Sequence, residues 1–97
     1  MIVRFTAEAQ NVLDAAMIYI ATKNPYAVEP FIKRIENAKA RLCQFPESGS
    51  FIPEFPDADY RQIFARPYRL FYRIVDDEVI IVAVYHDKQI PHEPEVE

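Results

Sequence analysis

The sequence predicts an α+β fold in which a hairpin of two helices packs on a small, mainly antiparallel sheet, in the order β-α-α-β-β-β. Three observations carry that expectation. Two apolar stripes at helical spacing fill residues 6–45, three β-favouring segments follow residue 60, and the gaps between those segments are short enough for hairpins. With 97 residues, 51% of them hydrophobic, the chain can build one core and no second domain.

Ile2 to Phe5 reads as a short strand, with Ile2 and Val3 in a β-favouring run. Thr6 offers an N-cap hydroxyl. Ala9, Val12, Leu13, Ala16, Met17 and Ile20 then recur as the stripe of an amphipathic helix reaching about Lys23. Asn24-Pro25 both ends this helix and starts another, since Asn caps and Pro is favoured at a first helical position. Ala27, Phe31, Ile35, Ala38, Leu42 and Phe45 place the second helix over about 25–45. Pro30 lies inside that stripe without an N–H to donate, so a kink or a start near Glu29 is expected. The minimal connection predicts that the helices pack antiparallel. Pro46 to Ser50 ends the second helix. Phe51, Ile52 and Phe55, interleaved with Pro53 and Pro56, form an irregular apolar segment that has to lie on the core or on a partner. Residues 60–64, 68–75 and 79–85 are the strands of a meander. The domain spans 1–88, and residues 89–97 read as an acidic, flexible tail.

Several function classes are excluded by residue counts. A single glycine, Gly49, rules out a GxGxxG or Walker loop. One cysteine, Cys43, permits neither an internal disulfide nor a zinc ribbon and reads as a small apolar residue of the second helix. His86 and His92 lack a third convincing ligand, so no metal is expected. Ser48 and Ser50 lie in a turn without a His/Asp partnership. No cofactor is implied. No apolar run approaches the roughly 20 residues of a membrane span, and the chain opens on a strand rather than a basic leader, so no membrane association is expected.

The net charge of −4 is unevenly spread. Residues 60–75 carry Arg61, Arg66, Arg69 and Arg73 and no acid, whereas residues 76–97 hold seven acids against Lys88. Alternation along the middle strand puts Leu70, Tyr72 and Ile74 toward the helices and Arg69, Phe71 and Arg73 on the other face. A hairpin with the preceding strand is expected to bring Arg61 beside Arg69 or Arg73 on that open face. The bland reading is solvated arginines whose stems cover apolar strands. The sharper one is a binding site, because like charges paired across strands repel unless an anion or acid lies among them.

The order of elements and several local strings resemble the ParE/RelE superfamily of bacterial type II toxins. The resemblance covers nearly the whole chain: Ala9, Leu13 and Asp14, then Asn24-Pro25-Tyr26-Ala27, Leu42, Phe45-Pro46-Glu47 and Gly49. Its most specific part is Arg61 with Arg66-Pro67-Tyr68-Arg69-Leu70-Phe71-Tyr72-Arg73-Ile74 and the ending Tyr85-His86-Asp87-Lys88. It implies a bacterial cytoplasmic toxin silenced by a tightly bound antitoxin. ParE-type members poison DNA gyrase by binding, and RelE-type members cleave messenger RNA on the ribosome.

For cleavage, Arg61, Arg69 and Arg73 are candidates to hold phosphate, and Tyr85, His86 and Lys88 are candidates for proton transfer and charge at the end of the last strand. Three features count against a nuclease. The chain is net acidic, residues 53–59 contain three acids and no base, and the ending is similar to that of ParE-like members, with Lys88 in place of the more usual Arg. The ParE-like reading is therefore favoured: the same six residues form a gyrase-contacting surface, and direct nucleic-acid binding is not expected. A RelE-like nuclease and a degenerate toxin retaining only antitoxin binding are the alternatives. The implied partner is a ParD-like ribbon-helix-helix antitoxin forming a hetero-oligomer. Ile18, Tyr19, Tyr26, Phe51, Ile52 and Phe55 are the apolar residues expected to meet it, since they exceed what a chain of this length readily hides.

Overall fold

Residues 1–93 are described by a computed structural model. The elements run β1 (Ile2–Phe5), α1 (Ala7–Lys23), a single 3₁₀ turn (Pro25–Ala27), α2 (Val28–Gln44), β2 (Ser50–Phe51), β3 (Arg61–Ala65), β4 (Tyr68–Val75) and β5 (Glu78–His86). The sheet has the order β1-β5-β4-β3-β2, with β1 parallel to β5 and every other pair antiparallel. Helix α1 lies over β5 and α2 over β3.

The helix ends follow local chemistry. Thr6 Oγ1 accepts from the Ala9 N–H at 3.1 Å, and Asn24 Oδ1 accepts from the Tyr26 N–H at 3.2 Å. Pro30 is the third residue of α2. Its missing N–H belongs to the first turn, where no intrahelical acceptor exists, so α2 simply begins at Val28. The stripes bury Ala9, Leu13 and Ala16 from α1 and Phe31, Ile35, Ala38 and Leu42 from α2 against Ile63, Leu70, Tyr72, Val79, Ile81 and Val84. Val12 and Phe45, assigned to the stripes by periodicity, are exposed instead.

The opposite face of the sheet is not open. The segment between β2 and β3 crosses it, and Ile52 and Tyr60 bury against Phe71, with Phe55, Ala58, Val82, Ala83 and Tyr85 packed around them. A bulge in β5 makes this possible. Register passes from Tyr72↔Ile81 to Phe71↔Ala83, so Val82 and Ala83 both serve this second cluster while Ile81 and Val84 serve the first.

The turn between β3 and β4 fixes which side chains share a face. Ala65 pairs with Tyr68 across a two-residue loop, Arg66-Pro67, whose peptide bond is cis. Arg61 therefore lies opposite Tyr72 and Ile63 opposite Leu70, on the helix side. The sequence predicts a three-residue loop over 65–67, and one residue of register exchanges the faces. Arg61 is accordingly not on the face that carries Arg69 and Arg73. Of the tail expected over 89–97, residues 89–93 lie against the end of β5. Gln89 Oε1 accepts from the His86 N–H at 2.7 Å, Pro91 is buried, and the His92 N–H donates to the Tyr85 hydroxyl at 3.2 Å. Residues 94–97 lie outside the described residues.

Candidate functional site

Arg69 is the second residue of β4, the central strand of the sheet, opposite Phe64 on one side and Tyr85 on the other, facing away from the helices. It is buried, and four of its five guanidinium N–H groups are engaged. Nε and Nη2 donate to Gln62 Oε1 at 2.9 and 2.7 Å, and Nη1 and Nη2 donate to Glu54 Oε2 and Oε1 at 2.8 and 2.7 Å. The cation also lies 5.0 Å from the centre of the Phe71 ring. Those hydrogen bonds hold the Glu54 carboxyl below its ordinary 4.5, and the same contact raises Arg69. An arginine forked on a carboxylate has its charge answered from within the chain. The expectation that Arg69 lies on an open face is corrected: the 51–60 loop covers it and supplies its counterion.

Arg61 and Arg73 meet elsewhere, at the edge of the sheet. Arg61 Nη1 donates to the carbonyls of Glu47 at 3.2 Å and Gly49 at 2.9 Å, and its guanidinium stacks 4.8 Å from the Phe51 ring. Arg73, on the other face, approaches the Tyr60 ring at 5.8 Å. Both line a recess of about 180 Å³ with Glu47, Asp59, Tyr72 and Ile74. Two acids share that recess with the two cations, which balances its charge.

Tyr85 and His86 are consecutive on a strand and so point to opposite faces. Tyr85 packs beside Phe71, with ring centres 5.3 Å apart, whereas His86 sits edge-on to Tyr68 at 5.3 Å on the helix side. His86 Nδ1 accepts from the Lys88 N–H at 3.1 Å and lies 3.2 Å from Asp87 Oδ1. The six residues grouped by sequence thus fall into three places: a covered pair, Arg69 and Tyr85; an edge recess, Arg61 and Arg73; and the strand end, His86 and Lys88. His86 is not among the residues lining the recess of Arg61 and Arg73.

The apolar set divides as well. Ile18, Tyr19, Tyr26 and Phe51 are exposed, Tyr26 almost completely at 91%. Ile52 is fully buried and Phe55 half-buried beneath the loop, because the covered sheet face takes them. Exposed Phe45 and Phe64 extend the apolar surface beyond the expected residues. Glu54 and Gln62 are the residues that sequence reasoning missed. The run of acids in 53–59 was visible, and only the path of the loop across the sheet shows that one of them meets Arg69.

Among the described residues no group of three His, Cys, Asp or Glu side chains is placed to hold a metal ion, and no helix is long and apolar enough to cross a membrane. No curated protein matches the chain. A solved structure described as the chromosomal ParDE TA system from P. aeruginosa matches with a TM-score of 0.71 at 20% identity, covering 89% of this chain and 95% of that one. At this identity the likeness speaks for the fold. Residues 3–91, nearly the whole described chain, match the family model of the ParE toxin of the type II toxin-antitoxin system parDE, and the chain belongs to that family.

Proposed function

We propose that this ParE-family toxin acts by binding DNA gyrase, without chemistry of its own, and that a cognate ParD-like antitoxin neutralises it. The observation that carries the reading is the Glu54–Arg69 fork. Cleavage of a phosphodiester needs a fixed cation free to meet the developing charge and a proton-transfer group within reach. Arg69 is buried and its paired outward donors are occupied by Glu54, while His86 faces the opposite side. A binding toxin needs neither. It needs charge and shape within reach of a partner, which half-buried Arg61 and Arg73 in the edge recess and exposed Lys88 at the strand end provide.

The antitoxin surface under this reading is the exposed apolar set Ile18, Tyr19, Tyr26 and Phe51. The groove between α2 and β3, lined by Arg34, Arg41, Ile63 and Phe64, adjoins a strand edge that β2 pairs only at Arg61 and Gln62. An acidic, amphipathic segment suits that combination of cations and free edge.

The test is induction in cells followed by two separate readouts, with purified gyrase as a third. Growth arrest with DNA-damage signalling, intact messages and loss of gyrase supercoiling is the expected result. Cleaved ribosome-bound messages without DNA damage would replace this reading with the nuclease one. A chain that binds its antitoxin but arrests no growth is a degenerate toxin.

A further inference from the structure

We propose that the outward face of α1 docks a second copy of this chain, with the two helices running antiparallel. Neither gyrase nor an antitoxin is needed for this contact, and an antitoxin seated on Ile18 and Tyr19 competes with it. The two helices of the fold differ on the side turned away from the sheet. Helix α2 exposes Lys33, Glu36 and Lys39, an ordinary solvated face, whereas α1 exposes Val12, Ala15, Ile18 and Tyr19. Ile18 is 69% exposed and Tyr19 60%. A helix apolar on both sides belongs between two packed surfaces, and the sheet supplies only one of them.

The centre of that face is built for another helix. Ala15, Ile18 and Thr22 recur at intervals of three and four residues, the spacing of a helix–helix seam, and the small Ala15 lets two backbones approach closely. Its polar groups are answered within α1. Thr22 Oγ1 donates to the Ile18 carbonyl at 2.9 Å, which leaves the methyl for packing, and on the flank Gln10 Nε2 donates to Asp14 Oδ1 at 2.9 Å. The charged ends favour a second copy over a partner of another sequence. Glu8 lies in the first turn and Lys23 in the last, both exposed and neither in an ion pair among the described residues. Lys23 lies only over the Tyr19 ring, 5.8 Å from its centre. Antiparallel helices crossing beside Ala15 put Glu8 of each copy opposite Lys23 of the other, and the same register sets Val12 opposite Tyr19. Two attractions form at once, and the opposed macrodipoles add to them. A parallel pair would set Glu8 against Glu8 and Lys23 against Lys23. Seventeen residues of helix span about 25 Å, less contact than a tight dimer has, so a dissociation constant of about 10–100 µM is expected.

Sedimentation equilibrium of the purified chain, free of antitoxin and at low ionic strength, tests the contact over about 5–500 µM. Wild type should pass reversibly from monomer to dimer. Ile18→Asp places a charge in the seam and Ala15→Gln adds bulk to it. Each should weaken association at least about tenfold while the unfolding midpoint stays within about 3 °C of wild type. Should one of them unfold, the other carries the test. The charge swaps identify the occupant. Glu8→Lys and Lys23→Glu should each weaken association about tenfold, because in either variant both end pairs become like-charged. An equimolar mixture of the two should regain wild-type affinity, since each then meets opposite charge at both ends. A wild-type chain that stays monomeric throughout overturns the proposal and leaves the face to a partner of another sequence. So does association that Ile18→Asp and Ala15→Gln leave unchanged, or a mixture of the swaps that associates no more tightly than either alone.

Discussion

The two faces of the sheet are held by different physics. On the helix side, α1 and α2 press a continuous apolar surface onto β3, β4 and β5, and the buried Tyr72 hydroxyl is satisfied by donating to the Pro46 carbonyl at 2.7 Å and accepting from the Gly49 N–H at 2.9 Å. On the far side an irregular loop covers a smaller apolar patch and is fastened by an ionic fork between Glu54 and Arg69. Area stabilises the first face, and geometry specifies the second. Change is tolerated unequally as a result: a face closed by helices resists collapse around a defect, whereas a loop can settle into one.

That contrast is broken most directly by deleting one phenyl ring from each face. Phe31 and Phe71 are both 0% exposed. Phe31→Ala should cost about 4–5 kcal/mol, much of the stability of a domain this size, because α2 and the strands cannot close on the void. Phe71→Ala should cost about 3 kcal/mol, since the loop carrying Ile52 and Phe55 can move inward. Urea unfolding of both variants measures the gap. Equal costs would mean that the loop is as rigid as the helices.

A smaller effect is expected where the two faces join. A Cβ on Gly49 would stand 2.6 Å from the Gln62 carbonyl oxygen and 2.6 Å from the Tyr72 hydroxyl, so strand β3 or the tyrosine has to shift. Gly49→Ala should destabilise by about 2–3 kcal/mol through overpacking. Tyr72→Phe leaves the Gly49 N–H and the Pro46 carbonyl without this partner and should cost about 1–2 kcal/mol. A Gly49→Ala, Tyr72→Phe double variant should be less destabilised than the sum, because removing the hydroxyl also removes one clash.

The ionic fastening is sharpened by pH. Glu54 titrates below 4.5 in the folded chain because Arg69 donates two hydrogen bonds to its charged form. A depressed folded-state value contributes stability that is present above the ordinary value and lost as pH falls through the folded one. Glu54→Gln should therefore be less stable than wild type by about 1–2 kcal/mol near pH 7, a figure reduced for the solvent that reaches the carboxylate. The difference should shrink below pH 4.5 as the wild type protonates. A difference that persists unchanged into acid would place the stabilisation in packing rather than charge.

Most of the fold was legible because its elements are periodic. Stripes at 3 and 4 residues located α1 and α2, alternation located β4, and Thr6 and Asn24 marked the caps. The site was less legible because it depends on register and on a segment without period. Arg61 was assigned to the wrong face by a single residue of loop length between β3 and β4. Residues 52–60 carry no repeat, so neither the cover they form nor the meeting of Glu54 with Arg69 could be read from spacing. Ile52 looked like partner-facing surface for the same reason, and the sheet buries it.

The smallest effect is expected at His86, at the end of β5 on the helix side. His86→Gln keeps a side chain of similar length able to accept from the Lys88 N–H, and loses mainly the edge-on contact with Tyr68. The cost to stability should be under about 1 kcal/mol. Toxicity carries the sharper information. Glutamine cannot pass a proton to a leaving group, so a nuclease relying on His86 should lose about 10²-fold or more in rate. A toxin that binds gyrase through the edge recess of Arg61 and Arg73 should arrest growth much as before, because His86 pairs with Tyr68 at the first residue of β4, whereas the recess lies along Tyr72 to Ile74. Arg73→Ala reverses the expectation, weakening gyrase inhibition while leaving the helix-side core intact. If His86→Gln abolishes growth arrest in a folded protein and Arg73→Ala does not, the active groups lie at the strand end and the binding surface assigned to the recess is wrong.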